Sequence, residues 1–310
     1  MAIELLEIKG WAKLLKGKTT PKVSEELLQS LWISHNFTWL PLDYYSSDNS
    51  SVVVCPQRWA TIPSLILDGV EIFYNDPKRR NDSSKKIREW FRMWPQSWNF
   101  SAAQMKEYWY NLDQHWFLRD ATRERWERLL ERWLKTVRDE IVYLFVSNQD
   151  TFTKFPHVFT ASEKIKLGTN SANISLHIRN NGNDSMRFSP GHHTYYKVAP
   201  DQKKNIELDK NIWVNDKMKS KWISGEETII VPNPWSCKIV IPGTGELQTD
   251  FDPQFWLLQL RSEKDQWFVC IEPVINRAEK WHQSAIITKP AEIMKVWFSV
   301  TLLSKDNYMK

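Results

Sequence analysis

The chain has 310 residues, 42% of them hydrophobic, with 42 Lys and Arg against 37 Asp and Glu for a formal net charge of +5. At this length roughly three quarters of the unfolded surface can be buried, so one large domain or two small ones can hold a sizeable core. The basic excess is mild and dispersed, which does not call for nucleic acid. Runs such as SLILDGVEIFY and IVYLFV fall far below the ~18 to 20 apolar residues of a membrane span. The N-terminal MAIELLEIKGWAKLLK alternates charge with apolar residues, unlike an export signal, and the expectation is a soluble, cytoplasmic protein with no membrane partner. Cys55, Cys237 and Cys270 are odd in number and lack a C-x-x-C pair, which argues against a disulfide framework and a zinc site; no metal or cofactor is expected. The 18 tryptophans are read mainly as packing residues, with a few lining a groove where their faces could stack on sugars or apolar ligands.

In chain order, Ile3, Leu5, Leu6, Ile8, Trp11, Leu14 and Leu15 recur at helical spacing over residues 2–17, and Pro21 with Ser24 and Glu26 opens a second short helix through Leu31. From Val52 the character turns to short alternating or β-branched runs: VVVC, SLILDGVEIFY, NISLHIRN, TIIV, KIVI, WFVCIEP, AIIT and MKVWFSVTLL. Turn signals such as Asp68-Gly69, Asn181-Gly182 and Pro242-Gly243 separate them, the pattern of an antiparallel all-β sandwich or barrel. Between the β-rich parts, Trp126, Leu129, Leu130, Trp133, Leu134 and Val137 share one face of a helix predicted within residues 121–140. The organisation expected is a helical N-terminal extension over residues 1–49 and one β-sandwich domain over 50–310 carrying that inserted helix.

Two segments carry chemistry. FSPGHHTYYKV contains His192 and His193, and WFVCIEP places Glu272 among apolar residues. A histidine that gives a proton and a carboxylate that takes one, each on a strand, form a minimal acid/base pair needing no metal. Neighbours on a strand point to opposite faces, so only one of the two histidines is expected to share a face with the carboxylate.

The order VVVCPQRWATIPSLILDGVEIFYND, KKIREWFRMWPQSW, DQHWFLRD, FPHVF, SLHIRNNGNDSMRFSPGHHTYYKV and VCIEP, with a final strand after KPAE, resembles the aldose 1-epimerase (galactose mutarotase-like) superfamily over about residues 52–303. The HTYY and CIEP segments look most like the hexose-6-phosphate epimerase branch. The resemblance implies a large antiparallel β-sandwich with a sugar or sugar phosphate as its small-molecule partner. It implies His193 as general acid and Glu272 as general base. It further implies His115 and Arg119 as donors to sugar oxygens and Arg88 as a phosphate ligand, since a guanidinium can grip phosphate bidentately. The chain departs from the family pattern where Trp59-Ala60, Glu89-Trp90 and Trp116 stand for glycines, and no aspartate stands in VPNPWSCK, where the family binds sugar; a reshaped groove is expected.

Three functions follow. The chain is a mutarotase, a non-catalytic carbohydrate-binding protein of the same fold, or a partner-binding protein that docks through its helical segments. Oligomeric state is not readable from the sequence.

Overall fold

The computed structural model describes residues 42–56, 60–76, 79, 87–97, 102–108, 136–138, 140–275 and 285–305. Two large antiparallel sheets dominate. The eight-stranded one follows the order β13 (Glu207–Leu208), β15 (Ser236–Ile241), β16 (Gly245–Phe251), β20 (Ile293–Lys305), β9 (Ser171–Asn180), β8 (Phe159–Leu167), β7 (Glu140–Val146), β6 (Thr136–Arg138). The six-stranded one follows β14 (Ile229–Pro232), β17 (Leu257–Ser262), β18 (Phe268–Val274), β11 (Gly191–His193), β5 (Phe91–Met93), with β12 (Tyr195–Lys197) also pairing β18. A four-stranded sheet of β1 (Asp43–Ser47), β2 (Ser50–Cys55), β3 (Thr61–Leu67) and β4 (Val70–Glu71) and the pair β10 (Met186–Phe188) and β19 (Ile286–Thr288) complete the strands. The expected all-β antiparallel architecture is present, and described β-structure begins at Asp43.

The two large sheets bury themselves differently, and the sequences show why. In β8, β9, β15, β16 and β20 burial alternates residue by residue, as in FTASEKIKL, where Phe159, Ala161, Glu163 and Ile165 are buried and their neighbours are not. That is a sheet with one face on the core and one toward solvent. In β18, FVCIEPV is buried at every position, so both faces of the six-stranded sheet are covered there. One face packs on the eight-stranded sheet: His192 on β11 sits 5.6 Å from the Phe298 ring of β20, and Trp94 after β5 packs edge-on to Phe159 of β8 at 4.7 Å. The other face carries the candidate site.

Gly191 allows β11 and β18 to approach. A Cβ there would meet the Pro273 carbonyl oxygen at 2.9 Å and the Met93 methyl at 2.9 Å, and the backbone contact cannot be relieved by rotating a side chain.

The predicted helices fall mostly outside the described residues. The N-terminal helices predicted over residues 2–31 lie outside the described residues. Of the helix predicted within 121–140, the C-terminal end is instead strand, since β6 and β7 pair as a hairpin with Thr136 opposite Val142. The helical pattern ends at Val137, and EIVYLFV then buries Ile141, Tyr143 and Phe145 with period two, which wins the segment for the sheet. Short helices α1 (Ala102–Tyr108) and α2 (Gln149–Phe152) and the longer α3 (Asp216–Ser224) lie in connections. No described helix is long and apolar enough to cross a membrane.

A charged pair crosses the core. Arg92 on β5 forms an ion pair with Glu163 on β8, both buried, and the guanidinium carbon also lies 5.6 Å from the Trp90 ring centroid. Burial pushes Arg92 down to about 9, which leaves it protonated at neutral pH. Removing one member of such a pair strands a charge in a low-dielectric interior, whereas replacing both with apolar groups removes the desolvation penalty along with the attraction. Arg92→Leu alone is therefore expected to lower unfolding free energy by about 3–5 kcal/mol in denaturant titration. Arg92→Leu combined with Glu163→Leu should recover most of that loss; a double variant as unstable as the single one would contradict this role for the pair.

Candidate active site

Register and pleat assemble the site. Residues paired across antiparallel strands point to the same face, and alternate residues along a strand share it. Phe91 pairs with His193, Tyr195 with Cys270 and Gln259 with Glu272. Phe268, Cys270 and Glu272 alternate along β18. These seven residues therefore occupy one face, while Arg92, His192 and Ile271 occupy the other. Thr194, between His193 and Tyr195, donates its hydroxyl to the Ile271 carbonyl, which fixes the crossing from β11 to β12 against β18.

On that face His193 Nε2 lies 3.4 Å from Glu272 Oε1, and the two side chains are 2% and 0% exposed. Gln259 Nε2 donates to the other carboxylate oxygen, Oε2, at 3.2 Å, turning Oε1 toward the imidazole. The His193 ring is stacked on Tyr195, centroids 4.4 Å apart and planes within 4°, and lies 4.8 Å from Phe91. The Tyr195 hydroxyl is 3.4 Å from Nε2, but parallel planes put it above the imidazole rather than in line with the in-plane lone pair. We read that contact as stacking, since a hydrogen bond needs the donor near the ring plane. The imidazole is thus held between aromatic rings with its edge toward the carboxylate.

Arg88 sits at the margin of the same assembly. Its guanidinium lies over the Phe268 ring at 5.4 Å, and Phe268 packs edge-on to Tyr195 at 4.9 Å. It donates to Glu263 and, at 2.6 Å, to Gln266 Oε1. Beside it the buried Lys203 donates to Ser262 Oγ at 2.9 Å and to the Glu263 carbonyl at 2.7 Å. Nothing in the sequence pattern marks Lys203 as a neighbour of the site, because it comes from the 3-10 helix Pro200–Asn205. His115 and Arg119 lie outside the described residues. Arg92, four residues after Arg88, faces the core instead.

The positions where the family pattern has glycine show how larger residues are accommodated. Ala60 is buried with φ of 51°, so the left-handed backbone that glycine adopts freely is kept and filled by the smallest side chain with a Cβ. Glu89 is buried and accepts from Thr61 Oγ1 at 2.7 Å. Trp90 turns away from the site into the core, near-parallel to Phe73 at 6.4 Å and stacked on His192 at 5.5 Å. Among the described tryptophans, Trp90, Trp94 and Trp222 are buried while Trp213, Trp235, Trp256 and Trp267 are exposed, so packing claims fewer of them than expected.

His192 is the chemical opposite of His193. It is enclosed by Trp90, Phe255 and Phe298, and neither ring nitrogen finds a hydrogen-bond partner among the described residues. Burial, with the Arg92 charge adding to it, pushes it down to about 3 from an ordinary 6.5. It is neutral at working pH and takes no part in proton transfer.

Comparison with known proteins places the fold. The family model for aldose 1-epimerase matches residues 98–226, a span that includes His193 and ends before Glu272. No curated protein matches the sequence. Among solved structures, the Slr1438 protein of Synechocystis sp. PCC 6803 is 18% identical with a TM-score of 0.69, over 87% of this chain and 98% of its own. A galactose mutarotase related enzyme of Lactobacillus acidophilus is 16% identical with a TM-score of 0.64, over 86% and 99%. A galactose mutarotase-like protein of Clostridium acetobutylicum is 12% identical with a TM-score of 0.60, over 85% and 98%.

The depressed His192 has a pH signature. Between about 6.5 and 3 the unfolded chain binds a proton at this residue that the folded chain refuses, so its contribution to stability is complete above the higher value and is lost as pH falls through the window. His192→Phe removes the titration while keeping a ring in the aromatic cage. The stability difference between wild type and variant, measured by denaturant titration at several pH values, should shift against the wild type by on the order of a few kcal/mol across that window. A difference independent of pH would contradict it. The fold on which these side chains converge is the galactose mutarotase-like β-sandwich.

Proposed function

We propose that the chain interconverts the anomers of an aldose, with His193 as general acid and Glu272 as general base. The observation that supports this reading most is their side-by-side placement on one face of β11 and β18, 3.4 Å apart. The ring oxygen and the anomeric oxygen of a cyclic sugar are bonded to the same carbon, so an acid and a base that address them both must stand close together. Glu272 takes the anomeric hydroxyl proton as His193 delivers one to the ring oxygen. The bond from the anomeric carbon to the ring oxygen breaks, and an open-chain aldehyde forms. Rotation of the aldehyde and the reverse transfers close the ring with the hydroxyl on the other side, returning both residues to their starting protonation states. Gln259 keeps the carboxylate oriented, and the aromatic walls of Phe91 and Tyr195 lower the dielectric around the transfers. His115 and Arg119 are assigned to sugar hydroxyls on the resemblance alone.

The finer reading is a hexose 6-phosphate as substrate, with Arg88 as phosphate ligand. Its support is the position of Arg88, linked to His193 through Phe268 and Tyr195; to serve, its guanidinium must exchange Glu263 and Gln266 for phosphate oxygens. One observation favours a second reading, a carbohydrate-binding protein without turnover: the acid and base are 2% and 0% exposed, less open than a site that admits a sugar.

Glu272→Gln keeps the shape and the contact with Gln259 while removing the base, and His193→Asn removes the acid. A positioned acid or base contributes about 10²- to 10⁴-fold, so each variant should lose most of the catalysed exchange between hexose anomers, followed by magnetisation-transfer NMR, with sugar binding retained. Wild-type protein that binds a hexose but leaves exchange at the buffer rate would establish the binding reading instead. For the phosphate reading, Arg88→Ala should raise KM for hexose 6-phosphates by about tenfold or more and leave free hexoses unaffected, and the advantage of the phosphorylated sugar should shrink as salt rises. Equal effects on both sugars would remove the phosphate role.

A further inference from the structure

A third donor stands beside the acid/base pair. Cys270 precedes Glu272 by two residues on β18 and so shares its face. One ligand atom each from His193, Cys270 and Glu272 falls within 4.8 Å of the others, all three residues being buried. Cysteine spacing in the sequence gives no hint of this, because the cluster forms only through the pairing of β11 and β12 with β18, and Cys270 has no neighbouring cysteine. Thiolate, imidazole and carboxylate are the three donor types that bind zinc, at about 2.0 to 2.3 Å from the metal. Tetrahedral ligands at those lengths stand about 3.3 to 3.8 Å apart. The His193 and Glu272 atoms already meet that spacing at 3.4 Å, and the sulfur reaches it with a shift of about 1 Å, within the range of small side-chain adjustments. Gln259, bonded to the second carboxylate oxygen at 3.2 Å, supplies the kind of outer contact that orients a metal-binding carboxylate.

We infer that His193, Cys270 and Glu272 form a three-donor site for a zinc-class divalent cation, and that such a cation shuts off the acid/base pair it occupies. The inhibitory half rests on the proposed mutarotase function; the binding half does not. On binding, a bond forms from the metal to each of the imidazole nitrogen, the sulfur and a carboxylate oxygen, and the thiol proton and the proton that His193 carries as the acid both leave to solvent. The nitrogen lone pair and the carboxylate oxygen are then committed to the metal, so neither can exchange a proton with sugar. Three protein donors leave the fourth tetrahedral position to an external ligand.

Cobalt(II) is the probe. Chelator-treated full-length protein titrated with cobalt should take up one equivalent, with a thiolate-to-cobalt charge-transfer absorption in the near ultraviolet and the intense visible bands of tetrahedral cobalt, both displaced by zinc. Cys270→Ser, nearly isosteric, should lose the charge-transfer band. His193→Asn should weaken binding at least tenfold, and Cys237→Ser should retain the band. Failure of the unmutated protein to bind one equivalent, or a band that survives Cys270→Ser, overturns the site. In the exchange assay, stoichiometric zinc should abolish anomer exchange and chelator should restore it; full exchange by zinc-saturated protein overturns the inhibitory role. Cobalt binding with the expected spectrum in a protein that lacks exchange even with chelator supports the site while removing the mutarotase reading.

Discussion

A carboxylate buried on a strand that has no solvent-facing side is the constraint on which the site depends. Glu272 lies in β18, where every residue is buried, and a charge in such a place is tolerated only with close compensation. The sheet supplies it laterally: Gln259 from β17 on one side and His193 from β11 on the other. Neither neighbour adjoins Glu272 in sequence. Their convergence requires the register that sets Gln259 opposite Glu272 and the close approach of β11 that Gly191 permits. In the proposed function this acid and base, forced together in a dry environment, exchange protons with the sugar hydroxyl that enters, so the packing that stabilises the strand would also prepare the chemistry.

The pleat divides two adjacent histidines into different roles. His193 shares its face with the carboxylate and keeps a proton partner within reach. His192 enters the apolar layer between the sheets, where it is depressed far below the ordinary histidine range and meets aromatic rings. One face of the six-stranded sheet therefore sets an imidazole beside a carboxylate, and the other encloses an imidazole among aromatic rings. The Arg92 and Glu163 pair belongs to the second face and joins the two large sheets.

Much of this is legible in the sequence, and what is not has identifiable causes. Alternation in NISLHIRN or KIVI marks strands of the eight-stranded sheet, and the GHHTYY and CIEP segments point to His193 and Glu272. Arg88 and Arg92 stand four residues apart, a spacing that would share a face on one strand, yet they end on different sides of the sheet because Arg88 precedes β5 and lies outside the pleat that turns Arg92 to the core. Trp90, which stands for a glycine of the family pattern, lies two residues before Arg92 and faces the core with it. Helix α3 leaves no strong trace although its ends are marked: the Asn215 side chain accepts from the Met218 N–H at 2.9 Å and Gly225 closes it at φ of 77°. DKMKSKWIS is too polar to carry a periodic apolar stripe, and only Trp222 in it is buried. Lys203 and Cys270 join the site through tertiary pairing, which no local pattern encodes.

Whether His193 and Glu272 act as one unit is tested most directly by a double-variant comparison. With anomer exchange measured for the wild type, His193→Asn, Glu272→Gln and the combination, residues that serve a single proton-transfer event lose their effect together. The double variant should be no slower than the slower of the two single variants. Losses that multiply, each substitution exacting its full factor in the presence of the other, would show that the two side chains act independently and contradict their operation as a pair.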